Sequence, residues 1–252
     1  MIGFPALFHT ELNAVRRTWL GRVMLGVFLA LAVMSILIGR FGPEFTEAVM
    51  GDAYAGIVPA ASWAETYAQW TKNLAQLAMI AVIVSAGGST ASLVSSGRAR
   101  LLAVRPADRS AQPIAAFAAR AVVLVVGCMC GVALLYSLTR LAFADAPLRQ
   151  LLLASAAWVV TALVFLALTC GLSAAVSSPG AATGCALGCY VLCAALSGFA
   201  PLAKYTPLGL IGAPNTLVGG GTAALAVPAL TGLLVACCAL TIGAHAFARR
   251  EL

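Results

Sequence analysis

The sequence predicts an all-α integral membrane protein of six transmembrane helices. Three observations carry this expectation. Hydrophobic residues make up 62% of the chain and charged residues only 9%, whereas globular domains carry about 25% charged residues. The apolar residues gather in runs of spanning length, roughly 20 residues each. Arginines and lysines stand at the ends of those runs rather than on one face. A soluble fold of this length must clothe itself in polar surface, and this composition lacks the material to do so. Lipid is the solvent that suits it.

The chain reads as one transmembrane domain over residues 1–252. Before the first span, Phe4, Leu7, Phe8, Leu12, Val15 and Trp19 recur at three- and four-residue spacings. That period predicts an amphipathic helix lying on the inner leaflet and leading into the membrane, so residues 1–22 form a cytoplasmic interfacial segment. Arg16-Arg17 ahead of an apolar stretch has the look of a twin-arginine export signal. Such a signal ends at a cleavage site and leads a soluble domain, whereas this chain continues into more membrane.

The spans are 23–39, 74–94, 121–139, 151–176, 181–203 and 222–247. Arg22 and Arg40 bracket the first, Lys72 and Arg98 the second, Arg120 and Arg140 the third. The fourth and fifth meet at the short Ser177-Ser178-Pro179-Gly180 turn. Between the first two spans, Trp63, Tyr67 and Trp70 recur at helical spacing, which predicts a short helix anchored at the outer membrane surface.

Lys and Arg concentrate in cytoplasmic loops. With both termini inside, the inner side holds Arg16, Arg17, Arg22, Arg98, Arg100, Arg105, Arg109, Arg120, Arg249 and Arg250. The outer side holds Arg40, Lys72, Arg140, Arg149 and Lys204. Acidic residues show the reverse bias, with Glu44, Glu47, Asp52, Glu65 and Asp145 outside and only Glu11, Asp108 and Glu251 inside. Both termini are therefore expected in the cytoplasm, in a bacterial inner membrane. The net charge of +7 serves orientation; with no basic face and no interleaved aromatics, it does not point to nucleic acid.

The chain offers little chemistry of its own. It has no G-x-x-x-x-G-K-[ST] phosphate loop and no H-E-x-x-H zinc site, and its lysines are Lys72 and Lys204. His9 and His245 stand far apart, and no span holds the Asp pair that a metal for lipid-headgroup transfer requires. No metal site, cofactor or catalytic residue is expected. The spans nearly lack ionisable groups, which ion-driven pumps carry within the membrane. All eight cysteines lie in apolar runs and read as soft packing residues. Ser85, Gly87, Gly88, Ser89 and Thr90 in the second span, and Gly184, Cys185, Gly188 and Cys189 in the fifth, are small residues that let helices approach closely.

The most informative stretch joins the second and third spans, from Ser95-Ser96-Gly97-Arg98-Ala99-Arg100-Leu101-Leu102 through Arg105-Pro106-Ala107-Asp108-Arg109. It reads as a helical Arg/Leu segment, a proline-marked break and a second amphipathic helix leading to Arg120. Gly97, Leu101, Leu102, Arg105, Pro106 and Arg109 resemble the pattern found at this position in ABC-2 type permeases, the membrane subunits of ATP-driven exporters. The amphipathic N-terminal helix, the six spans and the basic tail Arg249-Arg250 extend the likeness over nearly the whole chain. So does a broken outer segment between the fifth and sixth spans, marked by Pro207, Pro214 and Asn215. Members often carry a glutamate just before the glycine, where this chain has Ser95-Ser96.

The resemblance implies that residues 97–109 form a cytoplasmic coupling helix docking on a separate ATP-binding-cassette ATPase, which holds the ATP and Mg. Arg98 or Arg100 then takes the place of the glutamate contact. Two permease chains, identical or paralogous, would form a pathway between their second and fifth spans, lined by Ser85, Gly88, Ser89 and Tyr190. Such a lining suits an amphipathic cargo such as a drug, an antimicrobial peptide or a lipid. Two other classes compete: a membrane-embedded lipid- or isoprenoid-modifying enzyme, and a non-catalytic immunity or scaffold protein.

Overall fold

The computed structural model describes residues 3–50, 60–97 and 109–249. Among them the protein is all-α, and six helices are long and apolar enough to cross a membrane. Residues Phe4–Arg17 form α1 and Trp19–Met50 form α2, the first span. The second span is composite: α3 (Trp63–Asn73), a π-turn at Leu74–Ala78, α4 (Met79–Gly87) and a stub, α5 (Ala91–Ser95). Then follow α6 (Ala111–Ala142), α7 (Leu148–Ala175) and α8 (Pro179–Leu196), the third to fifth spans. Two short helices, α9 (Ala200–Tyr205) and α10 (Gly209–Val218), precede α11 (Ala226–Ala248), the sixth span. The end of the bundle that carries α1 and the ends of α5 and α11 is termed proximal below, the opposite end distal.

The pillar of the bundle is α7, against which α3, α4, α6, α8, α10 and α11 all pack. In its most apolar stretch 61% of residues are buried within the chain, against 17% for α8 and 22% for α11. Lipid is as apolar as leucine, so close backbone approach rather than hydrophobic burial must hold such helices together. The contact between α7 and α11 is built that way: a Cβ on Gly243 would lie 2.6 Å from Gly171 Cα, and one on Gly171 would overlap the Ala239 carbonyl. Similarly, Gly87 of α4 meets Thr183 of α8, and Gly39 of α2 meets Thr66 of α3.

Several elements differ from expectation. The Trp63–Asn73 helix runs into the second span instead of lying separately at a membrane surface, capped by Ser62, whose Oγ accepts from the Glu65 N–H at 3.2 Å. Tyr67 and Trp70 are fully buried in the protein, with Trp70 Nε1 donating to Ser155 Oγ at 3.1 Å. Helical spacing puts Thr66, Tyr67, Trp70, Asn73 and Leu74 on one face, and neighbouring helices rather than headgroups cover it. The third span opens at Ala111, so the amphipathic segment leading to Arg120 is continuous with it. Its Pro113 sits in the first turn, where a missing N–H costs nothing. The fifth span ends at Leu196 rather than 203, and the sixth starts at Ala226. Gly184 and Gly188 have nothing within 4 Å of a built Cβ; close packing within the chain falls on other glycines.

The segment between α8 and α11 is set into the bundle rather than laid across its end. Thr161 Oγ1 donates to the Leu210 carbonyl at 3.2 Å, and Thr161 lies about 20 Å along α7 from Leu148 at about 1.5 Å per residue. From that mid-height α10 climbs beside α7 toward the distal end, where Gly220 faces the Gln150 amide. On the way Asn215 Oδ1 accepts from Thr71 Oγ1 at 2.6 Å.

Candidate functional site at the broken second span

Among the spanning helices the second departs most from regular geometry, and each irregularity is held by a partner helix. At Leu74–Ala78 the helix widens into a π-turn, a feature that loosens the regular ladder and often marks functional sites. Tyr190 of α8 donates its hydroxyl to the Ala75 carbonyl at 2.5 Å, and its ring meets Phe165 edge-on with centroids 5.0 Å apart. Just before the turn, Asn73 Nδ2 donates to Ser35 Oγ at 2.9 Å while Asn73 Oδ1 accepts from Gln69 at 3.2 Å. Asn73 thereby ties the start of the turn to α2.

The second irregularity is a break after Gly87. Helical bonding lapses over residues 88–90, and α5 starts afresh at Ala91. A helix start leaves backbone donors without intrahelical partners, and no water is present in hydrocarbon to satisfy them. Ser173 of α7 supplies the acceptor: the N–H groups of Thr90 and Ala91 both donate to its Oγ at 3.1 Å. The stub ends where Gly97 adopts φ +70, with its N–H on the Val94 carbonyl at 3.1 Å.

Ser173→Ala removes one oxygen and strands two buried donors, at about 1–3 kcal/mol for an unsatisfied group. A stability loss of about 2 kcal/mol is expected for the purified protein in detergent. Thr169→Val serves as the comparison, since the Thr169 hydroxyl only bonds back to Phe165 of its own helix. If Ser173→Ala unfolds no earlier than Thr169→Val, Ser173 does not hold the break.

Close to the break lies a nearly buried ion pair. Arg120 Nη1 of α6 meets Glu11 Oε2 of α1 at 3.3 Å, with side chains 12% and 14% exposed. Gln112 Nε2 donates to the other Glu11 oxygen at 2.7 Å, Arg120 Nε to the Ser85 carbonyl at 3.3 Å, and Arg120 Nη1 also to the Ala116 carbonyl at 3.0 Å. One guanidinium thus joins the interfacial helix, the second span and the third. A cavity of about 10 Å³ beside it, lined by Val15, Met24, Val82 and Leu166 among others, is barely the size of one water.

The residues flagged by sequence fall into three groups. Of the coupling stretch, Gly97 and Arg109 are described, at the end of α5 and just ahead of α6. Arg98, Arg100, Leu101, Leu102, Arg105 and Pro106 lie outside the described residues. Ser85, Gly88, Ser89 and Tyr190 gather around the second span, Ser85 and Gly88 half-buried. Ser85 Oγ donates to its own helix at Val82, Ser89 is buried and Tyr190 is committed to Ala75. Pro207 and Leu210 pack beside Gly232 of α11, and Pro214 is buried. Among the described residues no group of three or more His, Cys, Asp or Glu side chains could hold a metal ion.

Sequence reasoning missed Glu11, Gln112, Arg120 and Ser173 as partners. A signal existed for Glu11: Phe4, Phe8, Glu11 and Val15 share one helical stripe, and a carboxylate on an apolar stripe needs a cation.

The chain belongs to the DUF2705 family, proteins of unknown function, whose family model matches residues 22–252. No curated protein matches the sequence.

Proposed function

We propose that this DUF2705 member is the permease subunit of an ATP-driven exporter, moving an amphipathic compound across the cytoplasmic membrane of a bacterium. The observation that carries the proposal is the second span, whose proximal end is a short stub, set off by a break, that leads into the Arg/Leu/Pro segment. The stub is separated from α4 by the break at 88–90, and α4 touches α8 at Gly87 and Thr183. On the far side of the segment, α6 is tied through Arg120 to α1 and to Ser85. A push delivered to residues 98–108 therefore has a short mechanical route to the faces of the second and fifth spans, as a rigid-body rearrangement of packed helices.

In this reading the proximal end is cytoplasmic, following the Lys/Arg bias, and both termini lie there. A separate ATP-binding-cassette subunit binds ATP and Mg and docks on residues 97–109. A second permease chain, identical or paralogous, completes the pathway. The cargo is amphipathic, because the second and fifth spans carry hydroxyl and aliphatic side chains but no fixed charge between Asn73 and Ser95 or between Pro179 and Leu196.

Co-purification tests the proposal. The tagged chain, extracted in mild detergent, is expected to bring down a stoichiometric ATPase. The Arg98→Glu, Arg105→Glu double variant is expected to lose it while folding normally. Retention of the ATPase by that variant moves the contact elsewhere. An eluate with no ATPase, under conditions that keep the membrane complex intact, overturns the exporter reading in favour of a membrane-embedded enzyme or scaffold.

A further inference from the structure

At the elbow between α1 and α2 the chain opens a groove of about 450 Å³ lined by Arg16, Arg22, Leu12, Leu25, Val122 and Val126 among others. The elbow is fixed by its backbone. Thr18 takes an extended conformation between the two helices, and a Cβ on Gly21 would come within 2.7 Å of the Val15 carbonyl. Trp19, at the corner, is 79% exposed, and an exposed tryptophan beside an apolar span belongs at headgroup depth. Arg16 and Arg22 are both exposed and, unlike Arg40, Lys72 and Arg120, form no ion pair among the described residues. Among the described residues the groove therefore has two guanidinium groups without an ion-pair partner, an apolar lining from the first and third spans, and a volume within the range of ligand pockets, about 300–1,000 Å³.

We propose that this groove holds an anionic phospholipid of the proximal leaflet, with its headgroup phosphate between Arg16 and Arg22 and an acyl chain along Leu25, Val122 and Val126. Guanidinium groups bind phosphate oxygens bidentately, and basic pockets between spanning helices take anionic headgroups. Charge selects the occupant: two cations without an ion-pair partner among the described residues favour a net anionic lipid over a zwitterionic one, and the apolar lining requires a chain that a free anion lacks. The occupied groove would bridge α1, α2 and α6. This inference stands apart from the exporter proposal, because it uses neither the 98–108 segment nor a partner chain.

Native mass spectrometry of the purified protein, washed free of bulk lipid and titrated with phosphatidylglycerol or phosphatidylcholine, tests it. Wild type is expected to retain phosphatidylglycerol in preference. The Arg16→Gln, Arg22→Gln variant should lose that retention about thirtyfold, from about 1 kcal/mol for each of the two basic residues. The Arg17→Gln, Arg249→Gln variant removes equal charge outside the groove and should keep it. Val126→Trp fills the floor without changing charge and should weaken binding as well. Equal retention of the two lipids, equal loss in the Arg17/Arg249 variant, or displacement by millimolar inorganic phosphate would overturn the proposal. Melting without added lipid reports folding; should the Arg16/Arg22 variant be unfolded, Val126→Trp decides, and unchanged retention there also overturns it.

Discussion

Replacing Arg120 by alanine is expected to destabilise the protein by about 3 kcal/mol, because removing one partner of a buried ion pair leaves the other charge without compensation. Glu11 and Arg120 are only 14% and 12% exposed, so neither recovers full hydration when the other is lost. The same change also strips the Ser85 carbonyl and one Glu11 oxygen of their donor. Exposed pairs behave differently: Arg40 and Glu44 also meet at 3.4 Å, but with side chains 42% and 63% exposed, and such pairs contribute about 0–1 kcal/mol. Glu44→Ala should therefore shift thermal unfolding far less than Arg120→Ala. The Glu11→Gln, Arg120→Gln double variant removes both charges and keeps amide donors and acceptors, so it should be more stable than Arg120→Ala alone. Thermal unfolding in one detergent compares all three. A double variant as unstable as Arg120→Ala would show that packing, and not the uncompensated Glu11 charge, dominates the loss.

The spans were legible in the sequence because a lipid-embedded chain has so few charges that each one marks an end. Arg22, Arg40, Arg120 and Arg140 mark the limits of two apolar runs, and the helices of the first and third spans continue past them. What apolarity could not show is where helical bonding continues beyond the apolar run, as it does from Ala111 through Arg120. Nor does a period of 3.6 say what a face meets. Trp63, Tyr67 and Trp70 have the spacing of an interfacial anchor and equally of a buried face; only the arrival of α2, through Gly39 at Thr66, and of α7, through Ser155 at Trp70, decides it.

The candidate site was less legible, for a related reason. Its members come from distant parts of the chain: Ser173 reaches Thr90, Tyr190 reaches Ala75, and Glu11 reaches Arg120. The run Ser85-Ala86-Gly87-Gly88-Ser89-Thr90 does advertise a weak helix, since glycine and hydroxyl residues both disfavour helix interiors. The same run suits close packing and a helix break alike, and the structure places the break over residues 88–90. The π-turn at Leu74–Ala78 leaves no mark in hydrophobic period. The 98–108 segment stands out by family likeness alone, and the described structure on either side of it is the break after Gly87 and the Arg120–Glu11 ion pair.

Gly171→Val is expected to abolish correct assembly of the sixth span, or to cost about 3 kcal/mol or more where folding survives. Overpacking a core typically costs about 1–3 kcal/mol because side chains and backbone can shift to make room. Here the obstructing atoms are the backbone carbonyl oxygen and carbon of Ala239, so no rotamer change relieves the clash. The two helices must separate, and in lipid their attraction rests largely on the close contact that is lost. Gly184→Ala and Gly188→Ala are the matched controls: both glycines lie in the fifth span with nothing within 4 Å, and alanine is the better helix former by about 1 kcal/mol. Folded yield and unfolding temperature should fall sharply for Gly171→Val and hold or rise for the two controls. A Gly171→Val protein as stable as wild type would mean that α7 and α11 do not pack backbone to backbone. Instability of Gly184→Ala or Gly188→Ala would instead show that the open face of the fifth span is covered, and in the permease reading the helix that covers it belongs to a second chain.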